Sequence, residues 1–456
     1  MRLPLIIFLV CIFISGCETM SNATHSVNRW ISGGEDNTEP PTPLTEFEPR
    51  VRIIELWEQD TGKGSDKQYL KLSPVITQGK IFVADNNGEV KAIDATNGSV
   101  IWNRDTDTRI SGGPGANDLY VLVGTSEGEI LAMSSETGDT LWRSKVSSEV
   151  LAAPQESNNI AIVRTGDGKI YGLNATDGAR LWAYDRTVPA LTLRGTSTPV
   201  IAGDLVIAGF DGGRLAAIEL QTGKLIWETR IALGSGRSEL ERMVDIDAEP
   251  LVLDDIIYVA TFQGRIAAVA LETGRMLWAR DISSYAGLCA DSHNLYVTDD
   301  NSHVWALDRI SGSSVWKQEK LQARAATAPA SISDWVVVGD LEGYLHWMDK
   351  KSGQFVARTR ITESKIIAPP IAADEILYAY ASDGTLGAYT YHSNDNLSVT
   401  LKKPETEQKL TEHRASSEAE PKQPDSKNIK EDEQGFFSKI WDSLTSDEEE
   451  DSELHN

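Results

Sequence analysis

The sequence predicts an all-β fold, an eight-bladed β-propeller of four-stranded antiparallel blades closed by the N-terminal strand. Three observations support this prediction. A glycine turn followed four residues later by an aromatic residue recurs along the chain, and short β-rich runs with hairpin-length turns precede each copy. A tryptophan-bearing strand also lies upstream of the first unit, whereas the last unit lacks one.

The repeat is first complete at Thr96 to Trp102, which reads T-N-G-S-V-I-W. Its glycine can adopt the positive φ of a tight turn, and the aromatic residue follows on a strand. A degenerate copy, S-G-Q-F-V-A, runs from Ser352 to Ala357. Because the spacing is regular, we expect the tryptophans to wedge between neighbouring blades rather than to stack on a ligand. The residues assigned to this structural role are Trp57, Trp102, Trp142, Trp182, Trp227, Trp278 and Trp316.

Eight units of this kind follow one another along the chain. In order, they contain the runs Pro74 to Ile76, Leu119 to Val123, Lys169 to Leu173, Arg214 to Ile218, Arg265 to Val269, Val304 to Asp308, Tyr344 to Met348 and Thr385 to Tyr389. The eighth unit stops without a glycine turn or a tryptophan. We therefore expect V-R-I-I-E-L-W, from Val51 to Trp57, to complete the last sheet and close the ring without an exposed edge at the seam.

The first sixteen residues predict a lipoprotein signal peptide. One charge at Arg2 precedes an apolar run, Leu3 to Ile14, which is too short for a comfortable membrane span, and I-S-G-C ends at Cys17. This resembles the lipobox of bacterial lipoproteins, so Cys17 is expected to carry the lipid; the alternative is an ordinary signal peptide with an incidental cysteine. Glu18 replaces the aspartate typical of inner-membrane retention, so the resemblance implies the periplasmic face of the outer membrane.

Composition divides the rest of the chain. Residues 17–50 hold the lipidated cysteine and a flexible tether, residues 51–391 the propeller, and residues 392–456 an acidic disordered tail. Within the tail, residues 435–445 form a short amphipathic segment that either folds on a partner or is a chance apolar cluster. The formal net charge of -25 argues against nucleic acid as a partner.

No motif predicts catalysis or a metal site. G-T-S-E-G, from Gly124 to Gly128, matches a nucleophile elbow but occupies a turn between two strands. Cys289 lies in an apolar context and is interpreted as a small buried hydrophobe rather than a catalytic thiol. The histidines lack ligand spacing, and Asp299-Asp300-Asn301 lacks the spacing of a calcium loop. We therefore predict no catalytic residue, metal or cofactor.

The repeats resemble those of the quinoprotein dehydrogenases, which are also eight-bladed and carry a glycine-to-tryptophan repeat. Those enzymes are longer, hold a calcium ion and usually have adjacent cysteines beside the quinone, whereas this chain has no Cys-Cys pair. A dehydrogenase dependent on pyrroloquinoline quinone (PQQ) is therefore one alternative function. A periplasmic propeller that binds a polymer or sugar is another, and would need a cluster of exposed aromatic residues on one face.

The longest connectors precede the fourth and fifth units and should project from one face of the ring. The first contains A-L-T-L-R-G, in which Leu191 and Leu193 point the same way beside Arg194. The second ends in D-I-D, in which Asp245 and Asp247 share a side. These five residues predict a small protein-docking patch. The alternative is that the leucines tuck over the ring and Arg194 pairs internally with an aspartate.

With these two segments, the lipobox, the tether and the eight blades, residues 1–391 resemble the BamB family, lipoprotein subunits of the outer-membrane β-barrel assembly machine. The resemblance implies docking on the POTRA domains of BamA through Leu191, Leu193, Arg194, Asp245 and Asp247. It also implies a non-enzymatic scaffold that assists the folding and insertion of unfolded outer-membrane clients. That clients add strands to exposed blade edges is a further hypothesis.

Overall fold

A computed structural model of the chain describes residues 39–65, 70–186, 197–234, 237–238 and 242–393, which belong to one compact unit. The regular secondary structure of these residues consists of β-strands, which form eight four-stranded sheets. No helix in the described ranges is long and apolar enough to cross a membrane.

The first four blades each run outward from an inner strand to an outer strand that carries the tryptophan of the repeat. Their strands are, for blade 1, β2 (Val75–Thr77), β3 (Lys80–Ala84), β4 (Glu89–Asp94) and β5 (Val100–Asp105); for blade 2, β6 (Ile110–Ala116), β7 (Tyr120–Thr125), β8 (Glu129–Ser134) and β9 (Thr140–Lys145); for blade 3, β10 (Gln155–Ser157), β11 (Ile160–Arg164), β12 (Ile170–Asn174) and β13 (Arg180–Tyr184); and for blade 4, β14 (Val200–Ala202), β15 (Leu205–Phe210), β16 (Arg214–Glu219) and β17 (Leu225–Arg230).

The last four blades repeat this order, except that blade 8 takes its outer strand from the start of the chain. Their strands are, for blade 5, β18 (Leu251–Leu253), β19 (Ile256–Ala260), β20 (Ile266–Ala270) and β21 (Met276–Arg280); for blade 6, β22 (Gly287–Ala290), β23 (Asn294–Thr298), β24 (Val304–Asp308) and β25 (Ser314–Gln318); for blade 7, β26 (Ala330–Ile332), β27 (Trp335–Gly339), β28 (Tyr344–Asp349) and β29 (Phe355–Arg360); and for blade 8, β30 (Ile371–Ala373), β31 (Ile376–Tyr380), β32 (Thr385–Ser393) and β1 (Val51–Asp60).

Strand β1 closes the ring as predicted. It pairs antiparallel with β32, with Glu55 opposite Tyr389 and Asp60 opposite Thr385. The prediction of an eight-bladed, all-β propeller closed by the N-terminal strand is confirmed. Strand β32 continues to Ser393, two residues beyond the predicted end of the propeller, because Val51 pairs with that residue.

Neighbouring blades are joined by the tryptophans of the repeat. Each indole Nε1 donates a hydrogen bond of 2.6–3.1 Å to a backbone carbonyl of the next blade. The pairs in the described chain are Trp57 with Ala95, Trp102 with Ser135, Trp142 with Ala175, Trp182 with Leu220, Trp227 with Leu271, Trp278 with Arg309, and Trp316 with Lys350. Each joint therefore links an outer strand to the turn before the next outer strand.

The glycine of the repeat gives the indole room. A Cβ atom added to it would lie 2.5–2.7 Å from Cε3 of the indole of the preceding blade, and its φ is between +68° and +74°. The glycines concerned are Gly98, Gly138, Gly178, Gly223, Gly274, Gly312 and Gly353. Both the turn and the indole contact therefore require the same residue, because a side chain would be strained at this φ and would clash with the ring.

The joint between blades 7 and 8 is different, because the degenerate repeat has Ala357 in place of tryptophan. The ring of Tyr391 in β32 lies 6.0 Å from that of Trp347 and 6.2 Å from that of Trp335, both in blade 7. Val51 and Val356 are buried in the same apolar cluster. The extension of β32 past residue 389 thus supplies the aromatic contact that the seventh repeat has lost.

Residues 39–50 are not a free tether. The backbone N–H of Thr42 donates to the carbonyl of Gln322 at 3.1 Å, and Nη1 of Arg324 donates to the carbonyl of Thr42 at 2.9 Å. The Phe47 ring lies 5.6 Å from that of Phe355. The prediction that the flexible segment extends to residue 50 is wrong for residues 39–50, since their polar composition hides these specific contacts with blades 6 and 7.

We predict that Gly178→Ala lowers the free energy of unfolding by about 2–4 kcal/mol, because it adds a positive-φ side chain and displaces the Trp142 indole. Gly203→Ala is the matched control, since Gly203 also has a positive φ but nothing lies within 4 Å of an added Cβ. It should cost only about 1 kcal/mol. Urea unfolding of both variants measures the difference, and equal losses would show that the joint contributes nothing.

Candidate docking site

The five predicted docking residues fall into two groups. Leu191, Leu193 and Arg194 lie outside the described residues. Asp245 and Asp247 lie in the connector between β17 and β18, where the structure places them close to the inner strands of blade 4. The geometry of the site is therefore built from the second connector and from its described neighbours.

Ile246 anchors the second connector. Its side chain is 1% exposed and packs in the apolar cluster of blades 4 and 5. A Cβ atom added to Gly209 in β15 would lie only 2.2 Å from Cγ2 of Ile246. The strand therefore needs a residue without a side chain for this isoleucine to fit. Burial of Ile246 in turn brings the aspartates on either side of it against the ring.

Both aspartates are buried, with Asp245 2% and Asp247 8% exposed. The N–H of Gly212 donates to Oδ1 of Asp245 at 3.1 Å, and the N–H of Phe262 donates to its carbonyl oxygen at 2.9 Å. Both aspartates of the predicted docking patch are therefore buried against the ring. The physical reason is the buried Ile246 between them, which draws both into the ring.

Arg164, at the end of β11, is the basic partner of this group. It is 4% exposed, its Nη1 donates to the carbonyl of Ser197 at 3.0 Å, and its Nη2 lies 3.9 Å from Oδ1 of Asp211. Asp211, Asp245 and Asp247 all attract the guanidinium, although burial lowers its pKa. Sequence reasoning missed this residue; the available indication was a charge directly after the apolar run I-A-I-V.

The two connectors are tied together beside Arg164. The hydroxyl of Ser197, at the end of the β13–β14 connector, donates to the carbonyl of Ala248 in the second connector at 3.1 Å. The same serine's carbonyl accepts the bond from Arg164. One buried arginine and one serine therefore fix the place where the connector that contains Leu191, Leu193 and Arg194 returns to blade 4.

Asp247 is the unusual member of the group. Neither carboxylate oxygen has a hydrogen-bond partner in the described part of the chain. Burial, together with repulsion from Asp245, raises the pKa of Asp247 to about 6, against attraction by Arg164 and Lys71. A carboxylate that is buried and not hydrogen-bonded costs free energy when it is ionised. Near neutral pH the site thus holds a buried carboxylate that Arg164 and Lys71 attract but that accepts no hydrogen bond from the described residues.

Lys71 approaches the same group from the long connector between β1 and β2. Its Nζ donates to the carbonyl of Ala286, before the first strand of blade 6, at 3.2 Å. Burial lowers the pKa of Lys71, while Glu249 and Asp247 attract its charge. The connector, which leads from blade 8 to blade 1, therefore also contacts the region of blades 5 and 6 through Lys71, with Leu70 and Leu72 buried on either side of it.

The residues considered for chemistry are placed as follows. Burial raises the pKa of the Cys289 thiol to about 12, so the thiol is not activated. The segment Gly124 to Gly128 runs from the end of β7 through the turn before β8, without a helix. Oδ1 of Asp299 accepts the N–H groups of Asn301 and His303. Within the ranges that the structure describes, no group of three or more His, Cys, Asp or Glu could hold a metal ion.

Comparison with known proteins places the chain in a family. A family model described as "Outer membrane protein assembly factor BamB" matches residues 55–111 and 86–318. A protein of that name from Alkalilimnicola ehrlichii is 51% identical over 345 residues, which are 76% of this chain and 90% of the relative. The chain belongs to the BamB family.

Solved structures agree with this assignment. The crystal structure of BamB from Moraxella catarrhalis is similar with a TM-score of 0.68 and 27% identity, covering 74% of this chain and all of that one. Quinohemoprotein alcohol dehydrogenase from Comamonas testosteroni is similar with a TM-score of 0.59 and 13% identity, covering 74% of this chain and 76% of that one. The second likeness shows the shared propeller fold alone, so the quinoprotein alternative is only a distant one beside the BamB family.

We predict that Asp247→Asn raises the free energy of unfolding at pH 7.5 by about 1–3 kcal/mol. Because the pKa of Asp247 is about 6 in the folded chain and lower in the unfolded chain, folding takes up a proton between these values. The stability that this group contributes is therefore full at low pH and is lost as the pH rises through 6.

Urea unfolding of the wild type and of Asp247→Asn across pH 4 to 7.5 tests this. The two proteins should converge near pH 4, diverge between about pH 4 and 6, and stay apart above pH 6. Asp204→Asn, at an exposed aspartate of the β14–β15 turn, is the control and should follow the wild type throughout. A constant offset between wild type and Asp247→Asn at every pH would contradict a raised pKa of Asp247.

Proposed function

We propose that this chain is a non-enzymatic scaffold subunit of the outer-membrane β-barrel assembly complex. The observation that carries the proposal is family membership. A relative that is 51% identical over 76% of this chain is named an outer membrane protein assembly factor. Such a subunit assists the folding and insertion of outer-membrane proteins, and its unfolded clients are its further partners. Association with the outer membrane follows from the same family.

The scaffold docks on the POTRA domains of BamA through Leu191, Leu193, Arg194, Asp245 and Asp247. The leucines and Arg194 make the contact, and the two aspartates hold the adjacent connector in place from within the ring. Three contacts support this division: the buried Ile246, the bond from Arg164 to Ser197 and the bond from Ser197 to Ala248. A fixed base lowers the entropy that the loops lose on binding.

The charges of the site also support docking. Asp247 is buried, ionised near neutral pH and not hydrogen-bonded by any residue in the described ranges, which disfavours folding. Groups that disfavour folding in this way are common at functional sites. In the described residues this group includes no cluster of His, Cys, Asp or Glu that could hold a metal ion. It serves a protein contact in this proposal.

The chain is held at the periplasmic face of the membrane by lipid on Cys17. The I-S-G-C segment that ends at Cys17 supports this. Between Cys17 and Glu39 lie enough residues to span roughly 25 Å as a random coil. The propeller therefore lies within reach of the membrane and of a partner embedded in it.

We predict that Leu191→Glu, and separately Arg194→Ala, abolishes co-purification of the barrel-forming partner with this chain from solubilised membranes, because each removes a contact of the docking loop. The thermal unfolding temperature should stay unchanged. Arg180→Ala is the matched control, since Arg180 is an exposed arginine of β13, the strand that precedes this connector in the sequence. Co-purification retained by both loop variants would exclude these residues from docking.

We further predict that Cys17→Ser leaves the chain unlipidated and moves it from the membrane fraction to the soluble periplasmic fraction, because a single cysteine side chain is the acceptor. Fractionation of cells that express the full chain, with mass spectrometry of the N-terminus, measures both effects. A Cys17→Ser variant that stays in the membrane fraction of cells lacking the partner complex would contradict the lipid anchor.

A further inference from the structure

An apolar residue lies directly before the aromatic position on the outer strand of every blade. In seven blades its side chain is exposed, between 39% and 51%. These residues are Leu56, Ile101, Leu141, Leu181, Ile226, Leu277 and Val315. Single exposed apolar residues need no explanation, but the same residue class exposed at the same place around a ring marks a surface. We call these seven positions the rim residues.

Each rim residue is also the extra residue of a β-bulge. In all eight blades the pairing of the outer strand skips this one position; in blade 2, for example, Trp142 pairs with Ala132 and Thr140 with Met133, which leaves Leu141 without a partner. The same skip occurs in the other blades. A bulge interrupts the ladder and turns the edge away from regular pairing. The outer edges are thus poor templates for a continuous added strand.

Blade 7 shows what such a position can hold. Its equivalent residue, Val356, is fully buried in the apolar cluster that also contains Val51, and residues 45–50, which lead into Val51, contact the same strand. The backbone N–H of Arg50 donates to the carbonyl of Val356 at 2.8 Å. Phe47 packs on Phe355, the residue before the bulge. An extended segment therefore docks on a bulge by one backbone hydrogen bond and one apolar contact.

A cation completes this contact. Nη1 of Arg358 donates to the carbonyl of Thr45 at 3.1 Å, and its guanidinium lies 5.1 Å from the centre of the Phe47 ring. All of these interactions involve the docked segment's backbone or an aromatic side chain. Docking of this kind therefore requires an extended chain with an occasional large apolar residue, and it does not require a particular sequence.

We propose that the rim residues are docking points for extended segments of unfolded polypeptide, one per blade, bound as residues 45–50 are bound to blade 7. The inference rests on the proposed function, which supplies unfolded outer-membrane proteins as the occupants. Strands of such proteins alternate apolar and polar residues, so an apolar side chain is available at every second position. Several weak docking points on one propeller together bind a single unfolded chain with higher affinity than one docking point alone.

Blades 1 and 4 match blade 7 most closely. At the positions of Phe355 and Val356 they carry adjacent exposed apolar pairs, Val100 with Ile101 and Leu225 with Ile226. Blades 2 and 6 carry Thr140 and Ser314 at the first of these positions, and both are exposed polar residues. The strongest docking points are therefore in blades 1 and 4, and blades 2 and 6 provide internal controls.

The test uses the purified full-length chain and a fluorescently labelled outer-membrane β-barrel protein, kept unfolded in urea and diluted into the assay. Ile101→Lys with Ile226→Lys should weaken binding about tenfold, which corresponds to about 1.4 kcal/mol. Thr140→Lys with Ser314→Lys adds the same charge to neighbouring outer strands and should change the affinity less than twofold. Thermal unfolding confirms that both variants are folded.

Three results would overturn the proposal: no binding of the unfolded protein by the wild type, equal losses in the two double variants, or an effect of the first variant only on binding to phospholipid vesicles. The last would assign the rim residues to the membrane surface. Co-purification with the assembly complex should be unaffected by either variant. If the wild type itself failed to co-purify with the assembly complex, the proposed function would be contradicted. Failure of the docking proposal and failure of the proposed function therefore give different results.

Discussion

The contact between an indole and the glycine of the next blade is the constraint on which the ring depends. The glycine of the repeat gives the turn its positive φ and leaves space for the indole. The indole Nε1 donates a hydrogen bond to a backbone carbonyl of the same turn. Because every joint except the one between blades 7 and 8 repeats this indole and glycine contact, the geometry of one joint fixes the angle to the next blade. Eight sheets that could not bury both faces alone are thereby packed into one domain.

The charged group of the candidate docking site lies beside the two long connectors, away from the tryptophan joints. Arg164, Asp211, Asp245 and Asp247 form a buried group between two long connectors, and only part of it is compensated by hydrogen bonds. A purely structural site would be more stable with apolar residues of the same volume. The arrangement makes sense as the rigid base of a binding surface, in which stability is given up for a defined position of the loops.

The repeat predicted the fold because its information is local: glycine, aromatic spacing and β-rich runs each specify one turn or strand. Even the closure by Val51 to Trp57 could be predicted, since one missing strand matched one surplus strand. The buried state of Asp245 and Asp247 could not, because it depends on the fit of Ile246 against Gly209 in another strand. Arg164 and the docking of residues 39–50 likewise depend on partners distant in sequence, which composition does not reveal.

Closure by β1 has a consequence for the order in which the molecule is completed. The hydroxyl of Thr61 donates to the carbonyl of Gly384, 323 residues away, and Val51 waits for Ser393. A chain made from its N-terminus must therefore keep its first strand unpaired until nearly the whole domain has emerged. A chain truncated before β32 can still form its local hairpins, but β1 then has no partner strand. The unpaired edge of β1 therefore distinguishes an incomplete molecule from a complete one.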